Sequence, residues 1–171
     1  MKFLYSLVTL LGGVAAQSII LDDLNQKISP QVTKLADDVQ GFPGSGLDGA
    51  LTIDSDSKDL VTILDSATED ARNQGSYSQV TGVTLTADIS PVVITLNDLL
   101  SGLSAKKDDF NALALPAGSL ILSDLQKLNQ STVDYANALV DAAPVLQVVA
   151  MIAIRDTIAA SFEQAIDTYT P

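Results

Sequence analysis

The side chains able to do chemistry in this chain are serines, threonines, carboxylates and a few cations; cysteine, histidine and tryptophan are absent. Without His or Cys, zinc sites of the ordinary kind and His-dependent triads are excluded. Ser55-x-x-Lys58 and Ser104-x-x-Lys107 fit the spacing of serine acyl-transfer enzymes, in which a lysine helps the serine shed its proton. Neither is joined by a Ser-Asp-Asn or Lys-Thr-Gly partner, and a serine-rich chain makes such spacings by chance. Asp54-Ser-Asp56-Ser-Lys58 starts like a calcium loop, then puts lysine where the third oxygen ligand belongs and lacks the glycine and closing glutamate. It reads as a solvated helix start, with Asp and Ser capping. Asp22-Asp23, Asp37-Asp38 and Asp108-Asp109 are sequence neighbours, about 100° apart around a helix, which suits a solvated surface better than acid–base work. The expectation is a protein with no catalytic residue, metal or cofactor.

More telling are polar residues in step with apolar ones. Ser57, Thr132, Arg155 and Ser161 each fall at a helical interval from buried-type neighbours; Arg155 lies three beyond Ile152 and four before Ala159. A hydroxyl there often bonds back to its own helix carbonyl, and a half-buried arginine pairs with a nearby aspartate. The functional alternative is that these groups hold the polar end of an amphiphile whose tail lies among aliphatic side chains. A mostly apolar cavity with a few convergent polar groups is the usual form of such a site. The candidate walls are Leu64, Leu96, Leu99, Leu103, Leu128, Val149, Ile152 and Phe162. Asn129-Gln-Ser131 is an N-glycosylation sequon in mid-helix, flanking the inward stripe.

The elements that must carry these residues are helices. Leu21, Leu24, Ile28, Val32, Leu35 and Val39 recur every three or four residues and share one face. Ser29-Pro30 interrupts that run, predicting a kink or a restart with Ser29 as cap. Glycines and a proline between Gly41 and Gly46 make a loop. A second helix over 47–73 presents Ala50, Ile53, Ser57, Leu60, Leu64, Ala67 and Ala71. A third, from Val80 to Phe110, presents Val80, Val83, Ile89, Val92, Leu96, Leu99 and Leu103, with Ser90-Pro91 repeating the earlier device. A fourth over 119–141 turns Leu122, Leu125, Leu128, Thr132, Ala136 and Leu139 inward. Pro144 is placed to open a fifth. From Val145 to Ile154 that helix has only Gln147 as a polar residue, so it is expected in the middle of a bundle or against a ligand. Thr84-Leu85-Thr86 has no partner strand. The fold class is therefore all-α, an antiparallel five-helix bundle with a central apolar cavity.

Met1-Lys2 followed by an apolar run to Ala16, ending Val14-Ala15-Ala16, reads as a secretory signal peptide removed before Gln17. Residues 17–171 then form a single helical domain, and neither a further transmembrane segment nor a GPI-type tail is expected. The net charge of −12 excludes nucleic-acid partners and disfavours anionic bilayers. Aromatics are 5% of a chain that is 47% hydrophobic, so the core must be aliphatic and, without cysteine, held by packing alone.

Taken in order, Ile28-Ser-Pro-Gln-Val-Thr-Lys-Leu35, Gly41-Phe-Pro-Gly44, Leu60-Val-Thr-Ile-Leu64 with Ala67-Thr68, and Ile89-Ser-Pro-Val92 followed by Leu96-Asn-Asp-Leu99, Leu103, Lys106-Lys107 and Phe110 make a pattern. It resembles the fungal hydrophobic surface-binding protein A family, which includes cell-wall galactomannoprotein lipid-binding domains. The resemblance implies a secreted or wall-associated five-helix bundle from a filamentous fungus. Its relatives hold fatty acids in an apolar tunnel, or adsorb to hydrophobic surfaces and recruit a secreted esterase or cutinase. Two readings follow: a carrier of a fatty acid or similar lipid, and a non-catalytic adaptor on an oily surface.

Overall fold

The computed structural model describes residues 18–113 and 116–170, so the leader expected at 1–16 lies outside the described residues. Every described element is helical. The first rod is continuous: α1 (Ile19–Asp22), a π-helical segment (Asp23–Ile28) and α2 (Ser29–Gly41). After it come α3 (Gly46–Gln74), α4 (Gln79–Ala105), α5 (Lys107–Asn111), α6 (Ala117–Ala142) and α7 (Val148–Tyr169).

The two prolines are absorbed without a restart. Pro30 sits in the first turn of α2 but inside the continuous rod, directly after the π-helical segment. Just before it, the Ser29 N–H reaches the Leu24 carbonyl in a π-type bond. The Ser29 side chain makes no cap, contrary to expectation. Pro91 lies inside an unbroken α4, and the Ser90 hydroxyl bonds the Thr86 carbonyl at 2.9 Å.

Among the described residues, six helical bodies therefore stand where five were expected. The extra one, α5, exists because the chain turns at Lys106 instead of running straight on to Phe110. The Lys106 ammonium reaches the Phe42 carbonyl beyond the end of α2. The turn also swings the Phe110 ring onto Phe42, stacked at 4.0 Å between centroids with planes 9° apart. Both rings are fully buried.

The long rods close into a ring. α3 packs on α6, α6 on α7, α7 on α4, α4 on α2, and α2 on α3, the α3/α6 contact being the most extensive. Consecutive rods run antiparallel, as expected, but the neighbours α3/α6, α4/α7 and α2/α4 run parallel because the ring joins them out of chain order. One end gathers the start of α1, the 75–78 turn and the 143–147 turn: Ser18 Oγ meets Gln74 Oε1 at 3.2 Å, and the Tyr77 N–H meets the Ala142 carbonyl at 3.2 Å. The other end gathers the α2–α3 turn, α5 and the end of α7, with Lys107 Nζ on the Thr168 carbonyl at 2.6 Å.

Two inward faces differ from the sequence reading. In α4 the stripe through Leu85, Ile89, Val92 and Leu96 extends back to Gly82, so Val80 and Val83 point outward, 78% and 56% exposed. In α7 the inward face is Met151, Ile158, Phe162, Ala165 and Tyr169. Pro144 does not open that helix: Gln147 N–H bonds the Pro144 carbonyl at 2.7 Å in a tight turn, and the helix begins at Val148. Val145, Leu146 and Val149 are consequently surface residues, 87%, 80% and 77% exposed. The all-round apolar stretch expected in the middle of the bundle is at its tip. Among the described helices, α4 alone is long and apolar enough to cross a membrane by length and composition.

Phe110→Ala is expected to cost about 3–5 kcal/mol, since it empties a fully buried ring site and releases α5 from Phe42. Urea unfolding measures this; an unchanged midpoint would show that α5 is not held by the stack.

Candidate functional site

The ring encloses an apolar cavity on its axis, fed by every long rod: Leu24, Ile28 and Val32 from the first, Leu60 and Leu64 from α3, Ile89 to Leu96 from α4, Thr132 to Leu139 from α6, and Ile158 from α7. Its volume is about 40 Å³, well under the roughly 300–1,000 Å³ of a typical ligand pocket. An acyl chain can enter only if the walls part. The walls suit that, because aliphatic side chains repack at modest cost where volume and polarity are kept.

Of the residues expected to line the site, the structure brings Leu64, Leu96 and Thr132 to this cavity. Leu99, Leu103, Leu128 and Phe162 are buried in the core beside it. Ser57 is buried but lies in a separate cleft with Lys58, Val61, Asp124 and Lys127. Ser161 lines a polar groove with Asn97, Ser101 and Ser104, and its hydroxyl bonds the Thr157 carbonyl at 3.0 Å. Arg155 is half-buried and points away from the cavity, bonding Asp156 at 2.7 Å and Asn137 at 3.3 Å. Ile152 is half-buried, and Val149 is on the surface. Asn129 sits half-buried in mid-helix.

The cavity has two polar side chains, and the sequence reading found one. Thr132 lines it without the back-bond expected to its own helix; the buried hydroxyl that does bond back is that of Thr68, to Leu64 at 2.7 Å. Tyr135, one turn further along α6, was missed. It is 4% exposed, lines the cavity, and its hydroxyl has no hydrogen-bond partner among the described residues. Burial, and then the charge of Asp23, raise its pKa, so it stays a neutral donor. Its position, three beyond Thr132 on the same stripe, was the available signal. Asp23 is itself buried on the π-helical segment, with Oδ1 on Lys27 at 2.6 Å and Oδ2 unpartnered. π-segments are frequent where helices form sites. Tyr77 roofs this region, donating to the cavity-wall residue Leu139 at 3.0 Å; burial pushes its pKa up to about 12.

The carboxylates around Asp54 are not a solvated helix start. They lie within α3, where Asp56 and Asp124 of α6 are buried. Burial pushes Asp56 up, but hydrogen bonds from Asp38 and Lys34 win and hold it below the usual range, while the shared contact raises Asp38. Asp124 faces Asp54 across the α3–α6 seam. Burial first, and then the Asp54 charge, push its carboxyl up to about 7. No group of three or more metal-ligating side chains occurs among the described residues.

With this geometry in view, the sequence profile described as hydrophobic surface binding protein A matches residues 18–141. AFMP4P in complex with palmitic acid is 27% identical and superposes with a TM-score of 0.82, over 89% of this chain and 98% of that one. The first ligand-binding domain of the Penicillium marneffei MP1 protein, complexed with arachidonic acids, is 15% identical with a TM-score of 0.81, over 89% and 97%. The second such domain, with multiple arachidonic acids, is 16% identical with a TM-score of 0.82, over 92% and 98%. No curated protein sequence matches the chain.

Asp124 gives a pH signature. Its folded pKa of about 7 lies above the ordinary 3.8, so the folded state binds the extra proton. The associated stability is complete below about pH 4 and is lost as pH rises through about 7. Urea unfolding should show wild type losing on the order of a few kcal/mol between pH 5 and 8, with Asp124→Asn flattening that slope. Parallel slopes for the two proteins would remove Asp124 as the cause.

Proposed function

The chain belongs to the hydrophobic surface binding protein A family, and on that premise we propose that it is a secreted, non-enzymatic carrier of a fatty-acid-like amphiphile. The observation that carries this reading is the axial cavity, whose walls are apolar save for Thr132 and Tyr135 of α6, with the buried Tyr135 hydroxyl unpartnered among the described residues. A buried donor without a partner costs free energy unless something fills its bond, and the polar end of a bound lipid would do so. The helical likeness to AFMP4P, whose structure holds palmitic acid, supports the same ligand class.

Secretion rests on the leader and on a cysteine-free, acidic exterior suited to solubility outside the cell. The sequon at Asn129 would then be reachable by the glycosylation machinery, although its carbonyl oxygen is buried. The second reading, adsorption to a hydrophobic surface with recruitment of a secreted esterase, is favoured in its first half by the exposed apolar tip at Val145, Leu146 and Val149. Nothing in the clefts favours catalysis.

Native mass spectrometry with palmitic or arachidonic acid is expected to show a discrete added mass, displaced by the competing acid. Ala136→Phe, which fills the cavity from α6, should weaken binding at least tenfold, and Tyr135→Phe several-fold. An unliganded mass with both acids in excess would sink the carrier reading. N-terminal sequencing of protein collected from the medium of an expressing fungus should start at Gln17; retention of the chain inside the cell would contradict secretion.

A further inference from the structure

Beside the cavity an ion pair turns its negative end inward. Asp23, Leu24 and Ile28 are the buried residues of the π-helical segment, and the last two line the cavity. The Lys27 ammonium lies 2.6 Å from Asp23 Oδ1, yet the Lys27 side chain is 50% exposed and that of Asp23 only 1%. The pair therefore runs from solvent to core with the carboxylate innermost. Asp23 Oδ2, on that inner side, has no hydrogen-bond partner among the described residues.

Two other buried hydroxyls are spent on backbone carbonyls. Tyr77 donates to Leu139 at 3.0 Å, and Thr68 to Leu64 at 2.7 Å. The Tyr135 hydroxyl is buried, belongs to the cavity wall and, like Asp23 Oδ2, meets no partner among the described residues. Burial and then the Asp23 charge raise its pKa, so the charge reaches the hydroxyl although the two groups do not bond each other. A free donor and a free acceptor thus stand apart at one cavity. Each costs free energy while buried without a partner, and one small group between them would satisfy both.

Resting on the carrier reading, we propose that the cavity prefers lipids whose head is an uncharged hydroxyl to fatty carboxylates, that head accepting from Tyr135 and donating to Asp23 Oδ2. Asp23 is then the residue that sets the choice. A carboxylate can accept from Tyr135 but has no proton for Asp23. It also brings a second negative charge into apolar surroundings, where like charges repel far more strongly than in water. Lys27 offsets little of this from the outer end of its pair, where solvent screens it. An ester accepts and does not donate, so it leaves Asp23 as it was. A hydroxyl does both. The acid form of a fatty acid carries one too, but at neutral pH that form is drawn from a mostly ionised pool, so fatty acids are held less tightly than alcohols of the same chain.

The test compares dodecanol, laurate and methyl laurate, which share one chain length, titrated into the purified protein at neutral pH and read by native mass spectrometry. Wild type should hold dodecanol at least about tenfold more tightly than either of the others. Asp23→Asn, whose amide is uncharged and can donate to a carboxylate, should bring laurate to within about twofold of dodecanol, with thermal unfolding confirming that the variant is folded. Lys27→Met removes the same ion pair but leaves the inner charge, so it should keep or widen the preference for dodecanol, and it carries the test if Asp23→Asn does not fold. Laurate or methyl laurate held as tightly as dodecanol by wild type would overturn the proposal and leave the carrier reading standing. So would an undiminished preference in folded Asp23→Asn, or a preference lost in Lys27→Met. Binding of none of the three would overturn the carrier reading itself.

Discussion

A ring of five rods leaves a single axis, and in a chain without cysteine each rod must bring its own aliphatic stripe to that axis or the ring does not close. Fully buried aromatic rings are few, Phe42, Phe110 and Phe162, and two of them are spent on the stack at one end. The axis is therefore lined by leucine, isoleucine, valine and alanine, with Thr132 and Tyr135 as its polar members. Such side chains attract one another without direction, so the same walls hold together over a small void or around an inserted chain with little difference in bonding. Rigid plates or a hydrogen-bonded core would have fixed one shape. The absence of a covalent clip and the presence of a deformable cavity are two consequences of the same composition.

Most of the fold was legible because it rests on periodicity. The α2 stripe is legible residue for residue; every expected member of the α3 stripe is buried, with Asp56 and Thr68 added to it, and the α4 stripe from Ile89 to Leu103 gains only Leu100. The failures share a physical cause. At the start of α4 and along α7, apolar residues occur on more than one face, so the three-and-four rule admits two registers. Periodicity puts Val80 and Val83 inside where Gly82 and Leu85 hold that place, and makes Val149 a wall where Met151 is the buried member. Composition was read as burial there, and it meant the reverse. The break at Lys106 was equally hidden, because what bends the chain is a lysine reaching a carbonyl distant in sequence and a ring seeking its partner on another rod.

The candidate site was legible only in outline. An apolar cavity with Thr132 on its wall was foreseen. Which other hydroxyls share it was not, since Ser57 and Ser161 have the right helical phase but face the neighbouring seams instead of the axis. Helical phase places a residue on a side of its own rod; only the ring order says what that side meets. The ring pairs α3 with α6, rods that no loop joins. That same pairing buries Asp124 against Asp54, a contact invisible to any reading of adjacent acids.

These placements give the bundle a polar axis. α3 and α6 both start at the end near α5, and their early turns carry Asp54, Asp56 and Asp124 with the lysines that answer them. Both finish at the other end, where the segments after them carry no charge. The cavity lies between an end whose buried carboxylates are answered by Lys34 and Lys58 and a tip tied by neutral hydrogen bonds, from Tyr77 to α6, between Thr86 and Gln147 and between Ser18 and Gln74. Parting the rods at the first end would break the Lys34–Asp56 pair and the contact that Asp38 shares with Asp56. Parting them at the tip breaks the two Tyr77 bonds with those between Ser18 and Gln74 and between Thr86 and Gln147, and exposes aliphatic surface. The asymmetry favours opening from the tip, so the same distribution of charge that keeps the flanks in water also decides which end of the cavity can give way.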